Sequence, residues 1–210
     1  MTGIHICFEG VDGSGKSTLL KGIIQELDRS NITHHVVKMI GEGKIRETVL
    51  FDESLTPKQR MLLYKVAAET ARIEIEKAKQ QYDVVLCERG EASFIAYQGA
   101  GDDLLYEVKT ILSLFDPFPL PDLTFYLQIP IELMQSRLFG RGGSKDVFEQ
   151  KDPKFFERVD RTYRREMAKL ISGDYSYVHF LDGVKSTEEL VREAVAAIKG
   201  RVKKISRTEI

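Results

Sequence analysis

Residues 4–18 have the sequence Ile-His-Ile-Cys-Phe-Glu-Gly-Val-Asp-Gly-Ser-Gly-Lys-Ser-Thr, and this stretch decides the fold. Ile4 to Phe8 is an apolar run typical of a buried strand, and a helical pattern begins directly after the loop at Leu19 and Leu20. Between them, residues 10–17 match the phosphate-loop pattern Gly-x-x-x-x-Gly-Lys-Ser/Thr in the strand–loop–helix context that it requires. The pattern therefore predicts a site for the phosphates of a nucleoside triphosphate.

The loop offers several groups to a phosphate chain. Its glycines let backbone N–H groups turn inward, and the following helix adds its unpaired N–H groups and the positive end of its dipole. We expect Lys16 to reach the β- and γ-phosphates and the Ser17 hydroxyl to bind Mg²⁺. The nucleotide-binding residues predicted from the loop are Gly10, Asp12, Gly13, Ser14, Gly15, Lys16, Ser17 and Thr18.

Length and composition limit the class of protein. The chain has 210 residues, of which 42% are hydrophobic and 30% charged, as in ordinary globular proteins. Its 31 Lys and Arg residues balance 32 Asp and Glu residues, so no overall field favours nucleic acid or an anionic membrane. Apolar runs stay well below the ~18 residues of a membrane span. With Cys7 and Cys87 both inside predicted strands, we expect a cytoplasmic protein that binds neither nucleic acid nor membrane.

Strand patterns alternate with helical patterns along the chain. Residues 34–39, 83–87, 123–127 and 177–181 are short runs rich in apolar residues, which predicts four further strands. Such alternation favours a parallel sheet with helices on both faces and right-handed crossovers. We therefore expect a three-layer α/β/α fold with a five-stranded parallel sheet, formed by one domain over residues 1–210.

Two helices have clear start signals. Thr56-Pro57-Lys58-Gln59 is a capping box with proline at the first helical position, and Ser186 begins a second capping box. Beyond residue 200 the chain is polar, and we expect residues 201–210 to form a frayed tail. The helix after Thr56 is expected to bury a stripe made of Leu62, Leu63, Val66, Thr70 and Ile73.

Three polar residues follow predicted strands, at the edge of the sheet where ligands of such folds bind. Glu88 could hold the water shell of a magnesium ion, and Arg89 suits bidentate binding of a phosphate. The alternative for this pair is a surface ion pair at a strand end. Asp12 lies among the phosphate-binding residues, where an acid would be repelled by phosphates. It is better explained as an acceptor for a hydroxyl group, such as the 3′-OH of a sugar.

Residues 139–151 combine glycines with basic residues between two helical patterns. Such a segment is typical of a lid that closes over transferring phosphates, although a solvated basic loop would have the same composition. Charge develops on phosphoryl oxygens during transfer, so the chemistry requires positioned cations. The basic residues in and beside this segment are Arg137, Arg141, Lys145 and Lys151.

The chain resembles the thymidylate kinases, which phosphorylate dTMP with ATP. The matching parts are residues 8–18, residues 88–89 with 96–101, residues 121–127, and the lid with residues 155–163. These parts are collinear over nearly the whole chain. The resemblance implies the fold of P-loop nucleoside monophosphate kinases, Mg·ATP as phosphoryl donor, a deoxynucleotide as acceptor, and a homodimer.

The resemblance also implies roles for individual residues. Tyr97 would lie under the deoxyribose, where a 2′-OH would clash, and Tyr64 would stack on the base. Because Gly13 has no side chain where some members carry an arginine, the catalytic arginine would be Arg141 of the lid. Arg137 would form part of the adenine-binding wall. The implied acceptor-binding residues are Asp12, Lys38, Tyr64, Arg89, Phe94, Tyr97 and Gln98; the implied catalytic residues are Lys16, Glu88, Arg89 and Arg141, with Ser17 and Glu88 at the metal.

Several positions depart from the family pattern near the acceptor base. Ala68 replaces the arginine that hydrogen-bonds the thymine edge, Phe94 replaces a small polar residue, and residues 38–41 replace Arg-Glu-Pro-Gly. Arg72 lies one helical turn beyond Ala68 and could restore part of the contact. Three alternatives therefore remain: a kinase for another deoxynucleotide such as a modified dUMP, a deoxynucleoside kinase, and a nucleotide-dependent switch.

Overall fold

The computed structural model describes residues 2–140, 145–172 and 177–208. Within these residues five strands form one sheet in the order β2-β3-β1-β4-β5, and every neighbouring pair is parallel. The predicted five-stranded parallel sheet is confirmed. Its strands are β1 (Ile4–Glu9), β2 (His34–Lys38), β3 (Val84–Glu88), β4 (Leu123–Gln128) and β5 (Tyr177–Asp182).

Helices cover both faces of the sheet, which confirms the three layers. Helices α1 and α8 pack on one face against Ile6 and Phe8, and α3 and α7 belong to a second apolar core on the other face. None of the helices in the described residues is long and apolar enough to cross a membrane. The helices are α1 (Lys16–Arg29), α2 (Lys44–Phe51), α3 (Pro57–Ala78), α4 (Glu91–Phe94), a π-helix (Ile95–Gly101), α5 (Leu105–Leu114), α6 (Ile131–Phe139), α7 (Pro153–Ser172) and α8 (Thr187–Thr208).

The capping box predicted for α3 is present. The side-chain oxygen of Thr56 accepts a hydrogen bond from the Gln59 backbone N–H at 3.3 Å, and Gln59 Oε1 accepts one from the Thr56 N–H at 2.9 Å. Pro57 occupies the first helical position. These bonds satisfy two of the N–H groups that a helix start leaves unpaired, so local sequence alone defines where α3 begins.

The face that α3 buries differs from the prediction. Leu62, Val66 and Ile73 are 52%, 55% and 45% exposed. The buried stripe contains mostly small side chains, which let the helix backbone approach the sheet closely. Its members are Met61, Tyr64, Ala67, Ala68, Ala71, Ile75 and Ala78. The pattern of large apolar residues therefore selected the wrong side of the helix.

Two helical segments have features that simple patterns do not predict. Residues 91–101 form the short α4 followed by the π-helix, where the Asp102 N–H donates to the Tyr97 carbonyl at 3.0 Å. Helix α8 extends to Thr208 and so includes most of the segment that was expected to form a frayed tail. Val202 of this helix packs against the apolar core that α1 and α8 share, which favours helix at that position.

The two cysteines occupy neighbouring central strands, as the strand order of this fold class predicts. Cys7 of β1 lies opposite Cys87 of β3 in the register of the sheet. Both are buried and both are free thiols. Burial raises the pKa of each thiol well above its usual value, so neither is a reactive nucleophile in the folded protein.

Candidate active site

The loop between β1 and α1 has the backbone of an anion-binding loop. Gly10 has a φ of 143° and Gly13 a φ of 76°, values that other residues rarely adopt. A Cβ atom on Gly10 would lie 2.7 Å from the carbonyl oxygen of Leu127. Helix α1 begins at Lys16, so its first N–H groups face the loop. The other predicted loop residues are Gly15 at the helix cap, the buried Ser14, and Ser17 and Thr18, which are exposed on the first turn of α1.

Lys16 lies folded against the loop. Its Nζ donates hydrogen bonds to the carbonyl oxygens of Gly10 at 2.8 Å and Val11 at 2.9 Å. Burial, together with the positive charge of Arg89, lowers the pKa of Lys16 from 10.5 to about 8. A phosphate chain in the loop would give this ammonium group a stronger, charged partner than the two carbonyls.

Ser17 and Glu88, the two predicted metal residues, are in contact. Ser17 Oγ donates a hydrogen bond to Glu88 Oε1 at 2.8 Å, although 71 residues separate them in the chain. Among the described residues, no cluster of three or more His, Cys, Asp or Glu could hold a metal ion. One hydroxyl and one carboxylate fit Mg²⁺, which keeps several waters and takes further oxygens from substrate phosphates.

Arg89, Asp12 and Tyr97 form one connected group. Arg89 Nη2 donates to Asp12 Oδ1 in a close ion pair, and Tyr97 Oη donates to Asp12 Oδ2 at 2.7 Å. The Asp12 backbone N–H donates in turn to Tyr97 Oη at 2.9 Å. The Arg89 guanidinium lies 4.8 Å from the centroid of the Tyr97 ring. The structure thus brings together three residues that are predicted to bind an acceptor nucleotide.

A cavity of about 380 Å³ joins the loop to this group. It is open to solvent between α2, α3 and residues 146–149. Lys38 at the end of β2 lines it and pairs with Glu42 at 2.7 Å. The polar residues in its wall are Asp12, Ser17, Lys38, Arg46, Tyr64, Glu88, Arg89, Tyr97, Gln98, Asp146 and Glu149.

The residues expected near the acceptor base, at the α3 end of the cavity, differ in burial and in their contacts. Phe94 is fully buried behind Tyr64, and the two rings stack with centroids 5.3 Å apart. Gln98 lines the cavity, and neither its amide nitrogen nor its oxygen has a hydrogen-bond partner among the described residues. Arg72 does not extend into the cavity, because it pairs with Glu69 and other acids on the surface. In this arrangement no contact that Arg72 makes within the described part of the chain supports the suggestion that it replaces the missing arginine at Ala68.

Arg137 braces the loop from outside. Its Nη1 donates to the carbonyl oxygens of Gly13 at 3.3 Å and Ser14 at 3.4 Å, and its Nη2 donates to the Gly183 carbonyl at 3.0 Å. Gly183 follows β5, so Arg137, the residue expected to form part of the adenine-binding wall, connects the phosphate loop to the segment after β5.

Comparison with known proteins identifies the family. The sequence profile of thymidylate kinase matches residues 8–194, which include all of the site residues described above. The chain belongs to the thymidylate kinase family. Its relatives include thymidylate kinases from Lactobacillus acidophilus, 32% identical over 97% of this chain and 97% of the relative, and from Fervidobacterium nodosum, 29% identical over 91% and 96%. The thymidylate kinase of Exiguobacterium sp. is 35% identical over 76% of this chain and 78% of its own length.

In this member of the thymidylate kinase family, sequence reasoning missed Arg46. The residue lies in the first turn of α2 and lines the cavity near Lys38. Residues shortly after the carboxyl end of a strand are the ones that face ligands in such a fold, and Arg46 follows β2 by only eight residues. That position was the available signal.

Of the predicted lid, residues 139–151, the structure describes Phe139, Gly140 and the residues from Lys145 onward. The Val147 N–H donates to the Leu50 carbonyl at 2.9 Å, which ties the segment to the end of α2. Burial, followed by the charge of Asp12, raises the pKa of Asp146 to about 6. Arg141, the predicted catalytic arginine, lies outside the described residues. Of the other basic candidates, Lys151 pairs with Asp102 at 3.2 Å.

Proposed function

We propose that this protein transfers the γ-phosphoryl group of Mg·ATP to dTMP, giving dTDP. The observation that carries the proposal is the shared cavity, in which the connected group of Arg89, Asp12 and Tyr97 faces the loop that holds Lys16. Such a cavity can hold an acceptor phosphate and a donor phosphate chain side by side, as phosphoryl transfer requires.

Each polar residue has one task in this reaction. Lys16 and the N–H groups of the loop bind the donor phosphates, and Arg89 binds the phosphate of the acceptor. Asp12 accepts a hydrogen bond from the sugar 3′-OH, and the Tyr97 ring leaves no room for a 2′-OH. Ser17 and Glu88 would hold Mg²⁺ and its water shell, and the ion neutralises charge on the β- and γ-phosphates. Lys38 and Arg46 add positive charge near the acceptor phosphate.

Arg141 is proposed as the cation that moves onto the transferring phosphoryl group when the lid closes. Gly13 offers no side chain inside the loop, and Arg137 is held by the carbonyls of Gly13, Ser14 and Gly183. Arg141 is the remaining arginine of the predicted lid. A contact of this kind is made mainly in the transition state and would therefore act on kcat more than on KM.

Gln98 is proposed to hydrogen-bond the edge of the base. It is buried, it lines the cavity, and its amide has no partner among the described residues. A buried amide without partners is costly unless a ligand supplies them. Tyr64 would stack on the base, and Phe94 would support Tyr64 from behind.

The test is a panel of acceptors at fixed Mg·ATP: dTMP, dUMP, 5-hydroxymethyl-dUMP, dCMP, dGMP, UMP and thymidine. We expect the highest kcat/KM with dTMP, measurable turnover of 5-substituted deoxyuridylates, and poor turnover of UMP. Replacing Gln98 with Leu, which is similar in size, should lower kcat/KM for dTMP about 5- to 10-fold, as expected for one or two lost hydrogen bonds. Activity on thymidine but not on dTMP would refute the proposal.

We further propose a cytoplasmic homodimer. Large apolar side chains are exposed on α3 and in and directly after α5, namely Leu62, Val66, Ile73, Tyr106, Leu114 and Phe115. Two contacts place these segments side by side, because Lys58 pairs with Glu107 at 2.9 Å and Lys65 lies over the Phe115 ring. Surfaces of this kind mark association sites. The free, buried cysteines suit a reducing compartment.

Sedimentation equilibrium should therefore give twice the mass of the chain. The variant Val66→Glu should shift the protein towards the monomer, because it places a charge in the apolar contact. Lys21→Glu, a change on the exposed side of α1, serves as the control. A wild-type protein that sediments as a monomer at micromolar concentration would contradict the dimer.

A further inference from the structure

Glu9 is a buried acid that none of the roles above employs. It is the last residue of β1, directly before Gly10 of the phosphate loop, and only 2% of it is exposed. Its Oε1 accepts hydrogen bonds from the backbone N–H groups of Gly90 at 2.9 Å and Ser93 at 3.2 Å. Its Oε2 accepts a short hydrogen bond from Ser93 Oγ. A single carboxylate thus joins the strand that leads into the loop to the turn after Arg89.

The contacts continue from Ser93 to the Arg89 side chain. Ser93 Oγ lies 2.7 Å from Tyr163 Oη, and Arg89 Nη1 donates to Tyr163 Oη at 3.1 Å. Arginine can only donate and an ionised carboxylate can only accept, so the ends determine the direction of every bond between them. Arg89 donates to Tyr163, Tyr163 donates to Ser93, and Ser93 donates to Glu9. We call these four residues the Glu9 chain.

The position of Arg89 depends on such support. Its backbone has a φ of 72°, which is unfavourable for a residue with a side chain unless the surroundings hold it. Gly90, the next residue, is packed so tightly that a Cβ atom would lie 2.9 Å from Cys7 Sγ and 3.3 Å from Glu9 Oε1. Glu9 therefore contacts the backbone on one side of Arg89 and, through Ser93 and Tyr163, its guanidinium on the other.

We propose that Glu9 is a positioning residue that holds Arg89 at the correct distance and angle from the phosphate loop. The inference rests on the proposed function, because it assigns Arg89 to the acceptor phosphate. Glu9 itself contacts no substrate; it acts through Ser93 and Tyr163. Burial raises the pKa of Glu9, and the hydrogen bonds from Ser93 and the charge of Arg89 offset that rise only in part. The geometry favours an accepting, charged carboxylate, because two backbone N–H groups and the Ser93 hydroxyl all lie within hydrogen-bond distance of its oxygens.

The variant Glu9→Gln tests the direction of the chain at almost unchanged volume. The amide oxygen of the new glutamine would keep the two backbone N–H groups, so its N–H₂ group would face Ser93 and donate to it. Ser93 would then have to donate to Tyr163. The hydroxyl proton of Tyr163 would in turn lose its acceptor. We expect kcat/KM for dTMP to fall about 10-fold or more, while KM for Mg·ATP stays within about 2-fold of the wild type, because the loop is unchanged. Tyr163→Phe removes the hydroxyl that bonds both Ser93 and Arg89 and leaves only the 3.4 Å contact from Arg89 Nη1 to Ser93 Oγ, so it should produce the same selective loss.

Combining Glu9→Gln with Tyr163→Phe gives a second test, which holds even if one of the single variants is less stable than the wild type. If both act through the same chain, the double variant should lose less than the product of the two single losses. The control is Thr124→Val on β4, next to Cys7 of β1, since the buried Thr124 hydroxyl has no partner among the described residues. Thr124→Val should leave both kinetic constants unchanged.

Two results would overturn the inference. The first is a Glu9→Gln variant whose kcat/KM for dTMP equals that of the wild type. The second is an equal loss of kcat/KM for dTMP and for Mg·ATP in both variants. The wild-type protein, measured alongside, tests the proposed function separately. If it turns over another deoxynucleotide better than dTMP, the same ratios are measured with that acceptor, because Glu9 is assigned to the phosphate and not to the base. A wild-type protein that is inactive on every monophosphate would refute the function and the inference together.

Discussion

Lys16→Ala is expected to lower kcat about 100- to 1000-fold, the usual size of one lost electrostatic contact to a transition state. The ammonium group lies within the loop, 2.8 Å from the Gly10 carbonyl oxygen. From this position the side chain can bind a phosphate chain in the loop without any rearrangement of the backbone. The fold should persist, because the neighbouring core residues are apolar and make no use of the charge. Steady-state turnover at saturating Mg·ATP and circular dichroism measure the two effects.

Lys21→Ala is the matched control, since Lys21 is an exposed lysine on the same helix. The pH profile provides a second test. Because the pKa of Lys16 is lowered to about 8, the free protein loses this charge as the pH rises through 8, and kcat/KM for Mg·ATP should fall there. The fall should vanish in Lys16→Ala. Near wild-type turnover in that variant would contradict the phosphate-loop assignment.

Arg89→Ala is expected to lower kcat/KM for dTMP at least about 100-fold, since removing one member of a buried charge pair typically costs several kcal/mol. The variant loses the contact to the acceptor phosphate and the ion pair between Arg89 and Asp12. KM for Mg·ATP should change little. Arg89→Lys keeps the charge but loses the two-pronged geometry, so it should recover only part of the activity. Initial rates with each substrate varied in turn separate these effects.

The control for Arg89 is Arg161→Ala, a change at an exposed arginine of α7. A variant of Arg89 whose main defect is a raised KM for Mg·ATP would assign this arginine to the donor phosphates instead. Thermal denaturation belongs in the same experiment, because Arg89 also donates to Tyr163 and lies over the Tyr97 ring. A moderate loss of stability is therefore expected beside the loss of activity.

Residues that belong to a short sequence motif, or that directly follow a strand, could be predicted without the structure. The phosphate loop, the capping box at Thr56 and the contact between Ser17 and Glu88 follow from short patterns and from the rule that ligands bind at the carboxyl ends of parallel strands. By contrast, the Glu9 chain and the unpartnered amide of Gln98 depend on side chains far apart in the sequence; Glu9 and Tyr163 are 154 residues apart. No local pattern encodes those contacts.

The sequence by itself determined the order of strands and helices, the parallel sheet and the place of the loop, because apolar periodicity and chain connectivity leave few arrangements open. Only the tertiary structure decided which side of α3 is buried. Two stripes on that helix are apolar, and the sheet accepts the one with alanines because small side chains allow close packing. That choice places Tyr64 in the wall of the cavity, turns Leu62 and Val66 to the outside, and leaves Arg72 paired with Glu69 rather than in the cavity wall.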